Sequence, residues 1–326
     1  MKRRVAITGA TGRKSGGEFA RLVSENIEAI QSMFPDGIRA LVRPTADIAT
    51  LQSLIPSIEI CRGDCSDVEF LKESLKDVDT LVHIAGIHFS REVVDAAAHC
   101  GVRRLIMIHT TGIYSRYKAA GEGYRQIDDY VYAICRENNI LLTICRPTMI
   151  YGNIHDGNII TFIRMVDRLP LMPVVNGARY ALQPVHYTDL ALAYLAILLN
   201  ETTTANKDYI LSGHSPIMLR DMLSLIGEKL GTRVRFINCP FPIAYAGAWM
   251  VYCLTFGKKD FREKVQRLCE PRTYLHDDAR RDFSYSPTPF EITEYWSFAR
   301  QCVDIGHCEV GFSLIGDGEQ VKHGIG

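Results

Sequence analysis

The chain has 326 residues, of which 47% are hydrophobic and 23% charged, and its 37 Lys and Arg balance 37 Asp and Glu. That length supports a sizeable core in one or two domains, and zero formal charge excludes recruitment to nucleic acid by bulk electrostatics. Ten cysteines form no CxxC pair and no Cys/His ligand spacing, so free thiols in a reducing, cytoplasmic setting are expected, with no metal site. No signal peptide is read ahead of the first strand.

The first predicted strand, Val5–Ile7, stops at Thr8-Gly9, and a helical pattern resumes from about Glu18 through Phe19, Leu22, Val23, Ile27 and Ile30. Strand, glycines and helix in succession bring free backbone N–H groups to the positive end of a helix dipole, which suits a pyrophosphate. Gly9 allows the tight turn, and Gly12 allows close approach of backbone. A regular spacing places a third glycine at 15, but Ser15 stands there and glycines follow at 16 and 17. A local bulge or a late helix start is therefore expected, with Arg13 and Lys14 near the phosphates.

Further strands are predicted at Ile38–Val42, Ser57–Cys61, Thr80–Ile84, Arg104–Ile108 and Ile140–Cys145, with helical patterns between them. Short apolar strands alternating with helices predict a parallel, doubly wound sheet with ligands beyond the carboxyl ends of its strands. Past Tyr151-Gly152 the chain reads as a smaller α/β lobe, with a return towards the core at Gln183 and His186. A helix from Leu190 to Leu199, a strand at Tyr209–Leu211 and a helix from Met218 to Leu230 follow. Asp189 is placed to cap or charge the first turn of its helix. The segment Phe241–Phe256 is nearly all apolar, is followed by Lys258-Lys259, and is shorter than the roughly 20 residues a spanning helix needs. It is expected as a buried or lid-like helix, with a surface-lying membrane or partner contact as the alternative. The Gly-rich last dozen residues are expected to fray.

The motifs TGATG (8–12), ALVRP (40–44), GDCSD (63–67), HIAG (83–86), HTTGIYS (109–115), TICRPTMIYG (143–152), QPVHYTDLA (183–191) and DARRDFSYSP (278–287) run through nearly the whole chain. In that order they resemble the extended or atypical short-chain dehydrogenase/reductase superfamily, close to nucleoside-diphosphate-sugar epimerase-like proteins of the NAD-dependent epimerase/dehydratase family. The resemblance implies an α/β, Rossmann-type doubly wound sheet over 1–152. It also implies a smaller C-terminal substrate lobe over 153–312, with some return of the chain near 183–199, and a tail over 313–326. It implies a nicotinamide cofactor contacted by Gly9, Thr11 and Gly12, by Asp64 and Cys65 at the adenine, and by the small residues Ala85 and Gly86. Pro147 and Met149 would run beside the nicotinamide.

Arg43 ends the second strand, where an acidic residue would bind a ribose diol and repel a 2′-phosphate. With Arg13 and Lys14 in the first turn, NADP(H) is expected over NAD(H). The superfamily uses a tyrosine as acid/base four residues before a lysine, beside a Ser or Thr hydroxyl. By position these are Tyr124, Asp128 in place of the lysine, and Thr110, with Thr111 as the close alternative. A carboxylate at 128 is expected to raise a neighbouring tyrosine pKa where a lysine lowers it. A literal Tyr-x-x-x-Lys at Tyr114 and Lys118 is read as a coincidence, although Lys118 is placed to supply charge. Tyr151, Asn158, Arg164, Arg179 and His186 are the candidates for contacting substrate, the arginines suiting a diphosphate.

The expected activity is therefore NADP(H)-dependent hydride transfer on a nucleotide-linked sugar or a similar carbonyl or carbinol. Two rivals stand beside it. One is a non-catalytic NADP(H)-binding sensor or regulator, suggested by Asp128; the other is a reductase for a non-sugar ketone or enoyl substrate. Relatives of this kind commonly form homodimers, and nothing in the sequence fixes that state.

Overall fold

A computed structural model describes residues 3–117, 120–153, 157–169 and 171–292. Contacts divide the chain into two compact units. The first comprises Met1–Thr148, Gln183–Ser215 and Thr273–Phe290; the second comprises Met149–Leu182, Pro216–Arg272 and the chain from Glu291 onward.

The first unit is built on seven parallel strands: β1 (Val5–Thr8), β2 (Ile38–Val42), β3 (Glu59–Arg62), β4 (Thr80–His83), β5 (Arg104–Ile108), β6 (Leu141–Pro147) and Lys207–Leu211. Their spatial order runs from Lys207–Leu211 through β6, β5, β4, β1 and β2 to β3. Every residue of β1, β2, β4 and β5 is buried, as expected for parallel strands covered on both faces. The chain winds outward from β1 to β3 and then restarts at β4 on the other side of β1. That reversal opens a crevice at the carboxyl ends of β1 and β4.

The helices before residue 140 are α1 (Ser15–Glu25), α2 (Ile27–Met33), α3 (Ala49–Leu54), α4 (Val68–Ser74), α5 (Ser90–Cys100) and α6 (Ala120–Glu137). One core joins Leu71 and Leu75 of α4, Val93 and Val94 of α5 and Val131 of α6 to Leu81, Leu105 and Ile144 of the sheet. Separately, α1 packs on the helix Tyr187–Leu199, with Phe19 edge-on to Tyr194 at 6.4 Å between centroids. Fully buried Arg104 donates to the Ile197 and Leu198 carbonyls and to the Thr204 hydroxyl, satisfying the C-terminal end of that helix. Asp189 does more than charge the first turn, because its carboxylate accepts from both the amide and the hydroxyl of Thr288.

In the second unit, strands Met172–Val175 and Phe236–Cys239 pair in parallel, and Ala181–Leu182 pairs antiparallel with Ile217–Met218. The helices Ile159–Arg168 and Leu219–Lys229 pack together beside them.

Three expectations change. The third strand lies at Glu59–Arg62 because residues 55–58 close a turn, with the Ile58 amide donating to the Ile55 carbonyl. The sixth runs on to Pro147 because Lys207–Leu211 pairs along its outer edge as far as Leu211. The apolar segment forms a helix, Phe241–Leu254, of which only Ala248 is buried, so its composition does not reflect burial. No helix among the described residues is long and apolar enough to cross a membrane.

Candidate active site

The turn from β1 into α1 is narrow because glycine backbones touch. Gly9 sits at φ +76°, and a Cβ there would lie 3.0 Å from the Ala85 nitrogen at the end of β4. The Gly12 amide donates to the Gly9 carbonyl at 2.9 Å, and a Cβ on Gly12 would meet the same oxygen at 2.9 Å. A Cβ on Gly16 would fall 2.1 Å from that oxygen. The third glycine of the turn is thus Gly16, and α1 begins at Ser15 with no late start. No side chain caps the helix; Lys14 holds the cap position, and Gly12, Arg13 and Lys14 are exposed with Thr11 half-exposed. Ala85 is exposed and its backbone borders this turn, and the next residue, Gly86, is half-exposed at φ +121°.

A buried hydroxyl–imidazole pair fixes the end of β4. His83 Nε2 donates to the Gly86 carbonyl at 3.0 Å, and its Nδ1 accepts from the Thr8 hydroxyl at 2.8 Å. The Thr8 oxygen in turn accepts from the amides of Ile84 and Ala85. Burial pushes the His83 pKa down to about 4, so the ring is neutral and locks both strand ends.

At β2 and β3, the Gly63 amide donates to the Val42 carbonyl, bringing the segments after the two strands side by side. Arg43 and Asp64 are exposed there. The backbone N–H and hydroxyl of Ser66 hold the Asp64 pKa low, with a smaller effect from Arg43. Burial and the neighbouring Asp64 push the Cys65 thiol up to about 11. Arg62 donates to the carbonyls of Pro44 and Ala46, pinning the loop after Arg43.

The largest departure from expectation is at Asp128. Its carboxylate accepts from Arg146 at 2.6 Å and from His109 Nδ1 at 2.6 Å, and His109 Nε2 accepts from Ser90 at 3.0 Å. Arg146 also reaches Asp208 at 2.8 Å. Burial lowers the Arg146 pKa, but the charges of Asp128 and Asp208 outweigh it and the net direction is up. Asp128 is therefore a paired, buried anion tying α6 to the ends of β5 and β6.

Tyr124, one helical turn before Asp128, is buried, and its ring lies 5.6 Å from that of exposed His88. Thr110 follows His109 and uses its hydroxyl oxygen to accept the Gly112 amide, which leaves its O–H proton available to donate. Thr111 donates its proton to the Pro147 carbonyl at 3.1 Å, so Thr110 is the better placed of the two to donate to a ligand. Tyr114 is exposed on a short turn, with partial burial raising its pKa, and Lys118 lies outside the described residues.

Pro147 is buried at the end of β6, and Met149 is half-buried. The substrate candidates are divided between the two units. In the second unit, Tyr151 is buried with its hydroxyl accepting the Glu291 amide, and Asn158 donates to the Ile150 carbonyl ahead of the helix Ile159–Arg168. Arg164 and Arg179 are exposed there, Arg179 lying against Gly177. His186, in the first unit, pairs with the Thr188 hydroxyl. Among the described residues no group of His, Cys, Asp and Glu is arranged to hold a metal ion.

Sequence reasoning missed His83, His88, Ser90 and the His109–Asp128–Arg146 cluster. One signal was present: an arginine closing the apolar strand Leu142–Cys145 needs a buried anion, and Asp128 is an acidic residue on the inward face of α6.

Among curated relatives, a Stigmatella aurantiaca 4-hydroxy-2-methyl-3-oxo-4-farnesyl-3,4-dihydroquinoline-1-oxide ketoreductase is 23% identical over 87% of this chain and 92% of that protein. Matches to such relatives span from 26% to 92% of their lengths. The fold is similar to that of dTDP-glucose 4,6-dehydratase (DesIV) from Streptomyces venezuelae, solved with NAD and TYD bound. That likeness has a TM-score of 0.67 and 17% identity, and it covers 93% of this chain and 97% of that one. It is also similar to Citrobacter sp. triphenylmethane reductase complexed with NADP(H), with a TM-score of 0.64, 21% identity and coverage of 90% and 99%. The two structural likenesses show the Rossmann-type, doubly wound fold read from the motifs. Residues 1–248 match the NmrA-like family, and the chain belongs to it.

Proposed function

We propose that the protein binds NADP(H) and catalyses hydride transfer on a nucleotide-linked sugar or a similar carbonyl or carbinol compound. The observation carrying this reading is the glycine cradle between β1 and α1, where Cβ atoms at Gly9, Gly12 and Gly16 would fill the space against backbone. Such a turn at a helix N-terminus fits a pyrophosphate. Gly9, Thr11 and Gly12 would hold it, with Arg13 and Lys14 alongside. Asp64 and Cys65 would meet the adenine, and Ala85, Gly86, Pro147 and Met149 would border the nicotinamide. When bound, the nicotinamide supplies or accepts the hydride. Arg43 at the end of β2 favours a 2′-phosphate over a bare ribose diol.

Thr110 would donate to the substrate oxygen and Tyr124 would pass its proton. Because the Asp128 charge is matched by Arg146, it does not stand as an isolated anion one turn from Tyr124. His88 would serve as the proton exchange partner of Tyr124, standing where its imidazole can relay to solvent. A second reading, reduction of a non-sugar ketone, is favoured by the ketoreductase that matches over 87% of the chain. Both readings share the cofactor site.

The test is cofactor binding with Arg43→Ala. NADPH should bind more tightly than NADH, and the variant should lose roughly tenfold or more of that preference, the worth of a charge-assisted hydrogen bond. Equal affinities for the two cofactors, unchanged by the substitution, would contradict the assignment.

A further inference from the structure

The helix Phe241–Leu254 presents an apolar face to solvent over its whole length. Ile243 is 64% exposed, Trp249 55%, Met250 56% and Leu254 73%. With Ala246 these fall at helical spacing along one side, while Ala244, Ala248 and Tyr252 occupy the other. No charged residue occurs from Phe241 to Gly257. At the C-terminal end Phe256 is 93% exposed and held at φ +51°, a backbone region that a phenylalanine rarely adopts. Lys258 and Lys259 follow, both exposed, and among the described residues neither makes an ion pair, whereas nearby Asp260 is taken by Arg262. Residues 241–272 carry six Lys and Arg against three Asp and Glu, in a chain whose total is neutral.

We infer that this helix docks on a bilayer surface containing anionic phospholipid headgroups. Its 14 residues, about 21 Å of helix, are too short to span, so it lies in the interface plane with Trp249, Leu254 and Phe256 inserted and the lysines at headgroup level. A second copy of the chain is a poorer occupant on charge grounds. Antiparallel pairing sets Lys258 and Lys259 against the partner helix's positive N-terminal end, and parallel pairing sets the four lysines together. Anionic headgroups neutralise that end. The inference is independent of the substrate assigned above.

The experiment is co-sedimentation of the full chain with vesicles of phosphatidylglycerol and phosphatidylcholine, compared with phosphatidylcholine alone. Trp249 fluorescence is followed in a Trp296→Phe background, which leaves one tryptophan. Binding to the anionic vesicles with a blue-shifted Trp249 emission is expected. Combined Trp249→Gln, Leu254→Gln and Phe256→Ser should weaken partitioning roughly tenfold or more, the loss expected for this much apolar surface. Lys258→Glu with Lys259→Glu, which leaves the apolar face intact, should weaken anionic binding specifically. The proposal is overturned if the chain ignores both vesicle types, binds them equally, or binds as well with the lysines reversed. It is also overturned if the apolar substitutions abolish a concentration-dependent dimer while vesicles recruit nothing.

Discussion

Asp128 stands where the dehydrogenase resemblance puts a lysine, and its surroundings show why a lysine has no place there. With 4% of its surface exposed, it receives donors from Arg146 and His109. A second cation at that point would strip Arg146 of its buried partner, leaving it only the exposed Asp208, and would meet the guanidinium at close range. Asp128→Lys is therefore expected to destabilise the protein by about 3–5 kcal/mol, the usual cost of breaking a buried pair, rather than to restore a catalytic lysine. Chemical denaturation checks this, and an unchanged midpoint would refute it. His83 gives a pH signature at the same scale. Its folded pKa of about 4 lies below the ordinary 6.5, so between these values the unfolded chain binds the extra proton. Its contribution is complete above about pH 6.5 and is lost as pH falls towards 4, up to about 3 kcal/mol. Thermal unfolding across pH 7 to 4 should fall less steeply in His83→Gln than in the natural chain. Identical slopes would remove His83 from the acid response.

At the scale of elements, the β1–α1 junction is tightly constrained by backbone contact. Gly16→Ala would place a methyl 2.1 Å from the Gly9 carbonyl, so the turn must open. A loss of about 1–3 kcal/mol, typical of overpacking, together with weaker NADPH binding is expected. Gly123→Ala, in α6 with open space around it, should instead stabilise by about 0.5–1 kcal/mol. Thermal melts of the two variants distinguish the roles, and equal shifts would contradict them. The boundaries of β2 and β5 were legible in the sequence because each is an uninterrupted buried run ended by a polar residue. The start of α1 was not, because the close-packing glycine stands one position later than the regular spacing puts it. The helix Phe241–Leu254 misled for another reason. An apolar composition all round reads as burial, yet nothing local in the sequence tells which surface a neighbouring element covers. The His109–Asp128–Arg146 cluster joins the ends of β5 and β6 to α6; the sequence marks Arg146 as needing a buried anion, but not which acidic residue the fold brings to it.

Across the whole molecule, the reversal of strand order at β1 and β4 puts the glycine cradle, Gly86, His88 and Tyr124 on one unit. The first unit thus carries every residue assigned to cofactor and proton chemistry except Met149. The second holds Arg164 and Arg179, exposed cations of the kind a phosphorylated substrate would use. Hydride chemistry on this unit must proceed without the usual lysine, whose position Asp128 occupies. The most direct measurement follows nicotinamide absorbance as NADPH-loaded protein meets a panel of 4-keto nucleotide sugars and simple ketones, with Tyr124→Phe alongside. The expected result is that at least one carbonyl compound oxidises NADPH and that the variant is slower by about 10²-fold or more. Firm NADPH binding with no oxidation by any compound, or full activity in Tyr124→Phe, would contradict it, the first outcome pointing to a nucleotide sensor.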